Sequence, residues 1–267
     1  MPLFQLLLVA VIQGVTEFLP ISSSGHLILL PQMTGTQDQG LAIDVAVHVG
    51  TLFAVVLYFW PQVKIALHGT TRLARGRVDT QSAFLALCLL TATIPALLAG
   101  LAIKATGLDE AMRSVAVIGW TMLVFGLVLY WADMTGTQEK TADNWTLKDA
   151  IWMGLSQCLA LIPGTSRSGI TITAARKLGY GREGAATLSM LMSIPIILAS
   201  GALLSVDVIG KANWVLARDA IIAAAFAFLA ALGALVLMMR LLRSVSFTPY
   251  VVYRVLLGIG LLVWAYT

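Results

Sequence analysis

Residues 83–103, AFLALCLLTATIPALLAGLAI, decide the fold class of this chain. These 21 residues carry no charge, and a helix needs about 20 apolar residues to cross a bilayer. Five further stretches have comparable length and apolar content, and they are residues 41–60, 114–132, 186–205, 220–239 and 249–267. The sequence therefore predicts six transmembrane helices.

The composition of the whole chain is that of an integral membrane protein. Of its 267 residues, 59% are hydrophobic and 11% are charged, whereas ordinary globular proteins carry about 25% charged residues. A soluble domain of this length cannot bury so much apolar side chain, because its surface is too large relative to its core. Long apolar runs also argue against a transmembrane β-barrel, which has short alternating segments. We expect an all-α polytopic membrane protein, with residues 1–267 forming a single integral membrane domain.

Two further apolar segments, residues 3–30 and 150–175, are interrupted by polar residues and prolines. The first contains Glu17 and three consecutive serines, and the second contains Arg167. Polar loops at membrane depth persist only where they are buried in protein or line a wet cavity. Each segment therefore predicts a re-entrant hairpin made of a helix, a polar loop and a second helix.

The distribution of basic residues predicts the orientation of the spans. Lysines and arginines outnumber acidic residues at 61–80, 176–183 and 240–248, whereas the loops at 104–113 and 206–219 are balanced. The positive-inside rule places the first group in the cytoplasm and both termini outside. The segment 133–149 also falls inside, although it is net acidic. These loops account for the net charge of +4, so we do not expect a nucleic acid partner.

A shift of 144 residues aligns the two broken segments with each other. Within residues 13–25, four of the thirteen aligned positions are then identical, and they are the pairs Gln13/Gln157, Ser22/Ser166, Ser24/Ser168 and Gly25/Gly169. Each half, about 1–132 and 148–267, has one hairpin and three spans, so the second half must be inverted in the membrane. Inverted repeats built on broken helices place a site near the membrane midplane, between the halves. We expect the two hairpin tips to meet there.

The first tip, residues 13–26, carries candidate metal-binding and catalytic residues. Gln13 and Glu17 share a helix face, and Glu17 is an oxygen ligand of the kind that Mg²⁺ and Ca²⁺ take beside a phosphate. Ser23 is a potential nucleophile, and His26 could activate it or protonate a leaving group. Ionisable residues at membrane depth are costly, so their default interpretation is functional.

The second tip, residues 163–171, has the features of a phosphate-binding loop. A hydroxyl-rich loop that opens into a helix presents free N–H groups and the positive end of the helix dipole. Arg167 adds a planar fork for phosphate oxygens. The candidate phosphate-binding residues of both tips are Ser22, Ser24, Gly164, Ser166, Ser168 and Thr171.

Several polar residues at membrane depth have two interpretations of similar weight. Gln13 fits either a metal site or a hydrogen bond between helices. Asp44 and His48 share one face of a span and are equally compatible with a functional and a structural role. Arg254 is expected to extend to the inner membrane interface. Ser22 or Ser24 could replace Ser23 as the nucleophile.

The two tips resemble the motifs of the bacterial undecaprenyl-diphosphate phosphatase family, the bacitracin-resistance proteins. Those motifs are written (E/Q)-x-x-x-E and P-G-x-S-R-S-x-x-T. They match Gln13-x-x-x-Glu17 and Pro163-Gly-Thr-Ser-Arg-Ser-Gly-Ile-Thr171, and the run from Pro20 to His26 also resembles the family. The similarity extends over essentially the whole chain in length and span order. Gln13 occupies the position at which the family pattern admits Glu or Gln, so the expected metal site has one carboxylate fewer than in members with Glu.

The resemblance implies a reaction, which is the hydrolysis of undecaprenyl diphosphate to undecaprenyl phosphate and inorganic phosphate. This reaction recycles the lipid carrier of cell-wall synthesis at the bacterial cytoplasmic membrane, and it needs Mg²⁺ or Ca²⁺. The expected catalytic residues are Glu17, Ser23, His26 and Arg167, with Glu17 and Gln13 at the metal. A secondary transporter, a lipid-phosphate flippase and an intramembrane serine protease stay open as alternatives, as does a homodimer.

Overall fold

The computed structural model describes residues 1–208 and 214–267, with only the backbone described at 205–208. This part of the chain contains helices and loops but no strand, which confirms the all-α fold class. Its helices are α1 Leu3–Phe18, α2 Ser23–Thr34, α3 Leu41–Tyr58, α4 Trp60–Leu73, α5 Gln81–Thr106, α6 Leu108–Ala111, α7 Val115–Thr135, α8 Leu147–Gln157, α9 Arg167–Lys177, α10 Arg182–Val208, α11 Trp214–Leu241 and α12 Thr248–Tyr266.

The six predicted spans are confirmed as α3, α5, α7, α10, α11 and α12. Each of these helices is long and apolar enough to cross a membrane. Several extend past the predicted bounds, because polar residues at their ends continue the helix beyond the apolar run. The predicted outer loop at 206–219 falls partly on residues 209–213, which lie outside the described residues.

The prediction of a loop at 61–80 is wrong for most of its length, because α4 occupies this segment. Pro61 stands in the first turn of α4, where a missing N–H costs no hydrogen bond. The helix packs along α5, and the backbone of Ser82 lies so close to Gly69 that a side chain at Gly69 would collide with it. Of the basic residues of this segment, Lys64 and Arg72 are therefore presented by a helix, whereas Arg75 and Arg77 follow its end.

Both broken segments form two helices joined by a loop, namely α1 with α2 and α8 with α9. Ser22 and Ser166 cap the second helix of each pair, with positive φ angles of 71° and 72°. Each serine Oγ accepts a hydrogen bond from a glycine N–H three residues later, at 3.3 Å from Gly25 and 3.1 Å from Gly169. The residues paired by the 144-residue shift thus adopt one conformation, while the re-entrant path of the hairpins stays a prediction.

The two halves pack against each other reciprocally. Helix α1 packs on α11, and its counterpart α8 packs on α5, the counterpart of α11. The equivalent helices α3 and α10 touch each other, as do α7 and α12. The close approach of these helices relies on small residues. A Cβ at Gly14 would lie 2.6 Å from the Ala227 carbonyl oxygen, and a Cβ at Gly154 would lie 2.6 Å from the Ala92 carbonyl oxygen. This arrangement is what two similar halves related by a pseudo-twofold axis produce.

Buried ion pairs connect the second hairpin to the rest of the bundle. They also reduce the number of exposed charges on which the predicted orientation of the spans depends. Asp133 lies 3.1 Å from Arg176 and 2.8 Å from Arg182, and Asp149 lies 3.2 Å from Lys140. Arg176 is fully buried within α9, so its assignment to an exposed basic loop is wrong. Because Asp133 and Asp149 are paired inside the protein, much of the acidic excess of segment 133–149 is not exposed, while the orientation of the spans stays a prediction.

Candidate active site

The two hairpin tips meet, as the sequence predicts. Ser168 Oγ of the second tip donates a hydrogen bond to the Leu19 carbonyl oxygen of the first, at 3.0 Å. Arg167 Nη2 donates to Glu17 Oε1 at 2.9 Å, which joins residues 150 positions apart. An ion pair at membrane depth therefore holds the tips together.

The Glu17 carboxylate is the centre of the contacts at this junction. Its Oε2 accepts hydrogen bonds from Ser23 Oγ at 2.6 Å and from Gln13 Nε2 at 2.9 Å. His48 approaches the same oxygen, with Nε2 at 3.9 Å. Glu17 is 8% exposed, so these groups and Arg167 replace most of its solvent. Buried carboxylates are stable only with such partners.

Both tips line one cavity of about 490 Å³, which is within the usual range of ligand pockets, about 300–1,000 Å³. Its wall includes six of the predicted site residues, which are Glu17, Ser22, Ser23, Ser24, Ser166 and Arg167. Asp44 and His48 line it as well, which brings both residues of α3 to the site. The cavity thus combines a carboxylate, a guanidinium, an imidazole and several hydroxyls.

The N-termini of α2 and α9 provide the electrostatics of an anion site. The first N–H groups of a helix have no partner within the helix, and the helix dipole is positive at this end. Ser23 and Arg167 are the first residues of these two helices, and both line the cavity. Non-glycine residues with positive φ cost about 1–3 kcal/mol and cluster at functional sites, which fits the caps Ser22 and Ser166.

Three predicted phosphate-binding residues lie behind the cavity wall. Ser168 and Thr171 are fully buried, and the Thr171 hydroxyl lies 2.6 Å from that of Ser189 on α10. Gly164 has a φ of +88°, and a Cβ there would lie 2.8 Å from the Ile118 carbonyl oxygen. These residues shape and support the second tip, and their direct contact with phosphate stays a prediction.

Comparison with known proteins decides the family. The sequence model described as "Bacitracin resistance protein BacA" matches residues 6–260. This chain belongs to that family. Among its relatives, a protein of Roseobacter denitrificans named undecaprenyl-diphosphatase is 73% identical over 267 residues, which is all of both chains. Proteins with the same name from Dinoroseobacter shibae and Hahella chejuensis are 69% and 45% identical, over 100% and 98% of each chain.

In this member of the BacA family, His26 is not hydrogen-bonded to Ser23. Its Nδ1 lies 2.6 Å from the Ser22 carbonyl oxygen, and its Nε2 lies 2.6 Å from the Tyr253 hydroxyl, whose ring is stacked on the imidazole. The base within hydrogen-bond reach of Ser23 is Glu17. The structure thus gives no geometric support to activation of Ser23 by His26, and the part of His26 in proton transfer stays a prediction.

Arg254 of α12 is a site residue whose role sequence reasoning missed. It is fully buried, so the prediction that it extends to the inner interface is wrong. Its guanidinium donates to the Pro20 carbonyl oxygen of the first tip at 3.2 Å, and to those of Gly164 and Thr165 of the second at 3.0 and 2.9 Å. These carbonyl groups replace water around the charge. The signal that could have indicated this was an arginine within an apolar span.

The donor set at Glu17 fits a divalent cation shared with a phosphate ligand. Among the side chains that the structure describes, at residues 1–204 and 214–267, no three His, Cys, Asp or Glu residues converge as a complete metal site. However, Gln13 is fully buried and its Oε1 has no hydrogen-bond partner, although the amide lies against the Glu17 carboxylate. An unpaired amide oxygen beside a carboxylate is the donor chemistry that Mg²⁺ and Ca²⁺ accept, with phosphate oxygens completing the shell.

Proposed function

We infer that this chain is an undecaprenyl-diphosphate phosphatase of the bacterial cytoplasmic membrane, with a part in cell-wall lipid carrier recycling and bacitracin resistance. The observation that carries this inference is that Ser23 and Arg167 bind the two oxygens of one carboxylate, Glu17, where two helix N-termini meet. Full-length relatives that bear the name undecaprenyl-diphosphatase support the same assignment.

The terminal phosphoryl group of the substrate binds between the helix N-termini. Arg167 and the first N–H groups of α2 and α9 neutralise its charge, and the same groups stabilise the charge that develops during transfer. The hydroxyls of Ser22, Ser24 and Ser166 complete the wall. A divalent cation bound by Glu17 and Gln13 would add positive charge at the diphosphate.

Ser23 is placed to act as the nucleophile. Its Oγ attacks the terminal phosphorus, the bond from that phosphorus to the bridging oxygen breaks, and undecaprenyl phosphate leaves. The Ser23 proton passes to the Glu17 carboxylate, 2.6 Å away. Water then hydrolyses the phosphoserine and releases inorganic phosphate. Direct attack by water on the diphosphate is the alternative path.

The prenyl tail has an apolar cleft beside the cavity. This cleft of about 440 Å³ is lined by α5 and α10, and it shares Arg167, Ala160 and Ile196 with the phosphate cavity. Relative to water, an apolar environment is worth about 0.8 kcal/mol per CH₂, which keeps the tail in the membrane, so an apolar cleft admits it without any specific polar contact. We place the diphosphate in the cavity and the first prenyl units in the cleft.

A transporter or lipid flippase is the second candidate, because the reciprocal packing of the two halves is typical of secondary transporters. An intramembrane serine protease is less compatible with the site, since His26 binds Tyr253 and the Ser22 carbonyl group, away from Ser23. An ion-paired arginine between two helix N-termini suits a phosphate better than a peptide carbonyl group.

The deciding experiment measures inorganic phosphate released from undecaprenyl diphosphate by purified protein, with Mg²⁺ or Ca²⁺ and with a chelator. We expect cation-dependent release, and its near-complete loss in Glu17→Ala and Arg167→Ala proteins that stay folded. Near-normal release by either variant would contradict the assignment, and no release by the wild type would favour transport. Light scattering on the same samples determines whether the protein is a homodimer.

A further inference from the structure

His48 lies across the cavity from Glu17, and the mechanism above does not use it. Its side chain is 37% exposed, and it lines the cavity that the two tips form. The gap of 3.9 Å between His48 Nε2 and Glu17 Oε2 is too long for a hydrogen bond. Two ligands about 2.1 Å from one cation stand between about 3.0 and 4.2 Å apart, so this gap is wide enough to hold a shared cation.

The imidazole is already oriented as a metal ligand. His48 Nδ1 lies 2.7 Å from the carbonyl oxygen of Asp44, one turn earlier on α3. A carbonyl oxygen only accepts, so Nδ1 carries the proton and the lone pair of Nε2 points into the cavity. Metal-binding histidines almost always donate their other N–H to a carbonyl or carboxylate oxygen in this way.

Gln13 provides an independent indication on the far side of Glu17. Its Oε1 is buried without a partner, and only its Nε2 is used, in the 2.9 Å hydrogen bond to Glu17 Oε2. A half-turn of the amide would bring Oε1 towards the carboxylate, which is favourable only with a cation between the two oxygens. Gln13 and His48 thus flank the same carboxylate oxygen, one with an unpaired oxygen and one with a free nitrogen lone pair.

We propose that Gln13 Oε1, the Glu17 carboxylate and His48 Nε2 together bind one divalent cation, with His48 replacing the carboxylate that a glutamate at position 13 would supply. Imidazole nitrogen is a better ligand for first-row transition metals such as Fe²⁺ and Zn²⁺ than for Mg²⁺ or Ca²⁺, which prefer oxygen. Mn²⁺ accepts carboxylate and amide oxygens together with a single imidazole nitrogen, so it serves as the paramagnetic probe of the site. The proposal rests on the proposed function in one respect, which is that a diphosphate substrate shares the cation. Binding of the cation itself is measured without substrate.

The test is pulsed electron paramagnetic resonance of Mn²⁺ bound to the purified full-length protein, which detects a nitrogen nucleus coordinated to the metal. We expect nitrogen coupling in the wild type and its loss in His48→Gln, with Mn²⁺ affinity reduced about tenfold. His26→Gln is the matched histidine control and should retain the coupling. Gln13→Glu should tighten Mn²⁺ binding. Gln157 is the repeat partner of Gln13 on the other hairpin, and Gln157→Glu should leave Mn²⁺ affinity unchanged.

Bound Mn²⁺ without nitrogen coupling in the wild type would overturn the proposal, as would coupling that is lost in His26→Gln and retained in His48→Gln. The wild-type spectrum decides the matter even if His48→Gln fails to fold. Phosphate release by a wild type that lacks nitrogen coupling would remove His48 from the metal and leave the phosphatase assignment intact. Nitrogen coupling without phosphate release would keep His48 as a metal ligand and contradict the phosphatase assignment.

Discussion

Ser23 is the residue on which the chemistry depends most directly. Its hydroxyl donates to Glu17 at 2.6 Å, whereas the neighbouring Ser24 hydroxyl lies 3.3 Å from that of Ser22. We expect Ser23→Ala to lower phosphate release about 100-fold or more, because the nucleophile and its proton path are lost together. Ser24→Ala removes one neutral hydrogen bond, worth about 1 kcal/mol, and should cost less than tenfold.

Rates of phosphate release at saturating substrate check this prediction. Acid-quenched wild-type protein with labelled substrate should also carry phosphate on Ser23. A Ser23→Ala protein with near-normal rates would mean that water is the nucleophile and that Ser23 only orients Glu17.

Arg254 fixes the relative position of the two tips. Arg254→Leu would leave several buried carbonyl groups without a donor, at about 1–3 kcal/mol each. We expect a Tm lower by more than about 5 °C and a lower kcat, because the loops that carry Glu17 and Arg167 lose their common support. Arg254→Lys should recover only part of both values, since an ammonium group cannot reach the same spread of carbonyl groups.

Thermal unfolding in detergent, together with kcat and KM, tests this role. Arg240→Leu is the matched control, because Arg240 is exposed near the end of α11 and its loss should change stability by no more than about 0.5 kcal/mol. If Arg254→Leu had the Tm and kcat of the wild type, Arg254 would not position the tips.

The residues of the site differ in how far sequence could identify them. Glu17, Ser23 and Arg167 belong to two local motifs, and the prediction that their tips meet is confirmed by the ion pair. The partners of His26 and Arg254 could not be predicted, because they lie 227 and 234 residues away in sequence, at Tyr253 and Pro20. Contacts of this kind depend on how α12 packs against the hairpins, which no local pattern encodes.

At the scale of helices, α8 and α9 are anchored through Asp149 in the first turn of α8. Burial raises the pKa of the Asp149 carboxyl group, but hydrogen bonds from Tyr180 and Lys140 outweigh burial and hold this pKa below its ordinary value. A carboxylate whose pKa is lower in the folded than in the unfolded state stabilises the fold at pH values above its unfolded-state pKa of about 3.9. That stabilisation is lost as the pH falls below this value and through the folded pKa.

We therefore expect the Tm to fall as the pH is lowered through the acid range below about 4, with a smaller fall in Asp149→Asn. Tyr180→Phe removes the 2.7 Å hydrogen bond to Asp149 and should also reduce the pH dependence. Asp143→Asn is the control, because Asp143 is exposed and lies shortly before α8 in the sequence. An identical pH dependence in wild type and Asp149→Asn would remove Asp149 from this account.

For the whole molecule, hydropathy and loop charge predicted the six spans and the two broken segments but missed α4 and the buried cations. Periodicity identifies a long apolar run without tertiary information, which is why α3, α5 and α7 could be located. Helix α4 has a mixed composition and is stabilised by packing on α5. A count of loop charges likewise takes Arg176 as exposed, although four hydrogen bonds to backbone carbonyl groups and an ion pair with Asp133 keep it inside.

Two of the apolar clefts are each lined by helices of both halves, and of these two only the one between α5 and α10 adjoins the phosphate cavity. Gly100 lines the cleft between α5 and α10, and Gly233 lines the other cleft, of about 410 Å³, beside α1 and α11. Gly100→Leu would narrow the first cleft, since a Cβ there already contacts Leu161 at 3.6 Å. We expect the KM for undecaprenyl diphosphate to rise about tenfold, for a loss of about 1.4 kcal/mol of tail binding, with kcat nearly unchanged.

Gly233→Leu is the matched control, because it fills the cleft beside α1 and α11 and leaves the phosphate cavity untouched. Farnesyl diphosphate, with a much shorter tail, should show a smaller KM change in Gly100→Leu than undecaprenyl diphosphate, since less of its chain lies in the cleft. If Gly233→Leu raised KM and Gly100→Leu did not, the tail would lie along α11. A rise in both variants would mean that the lipid uses both clefts, which is what a flippase built from two inverted halves requires.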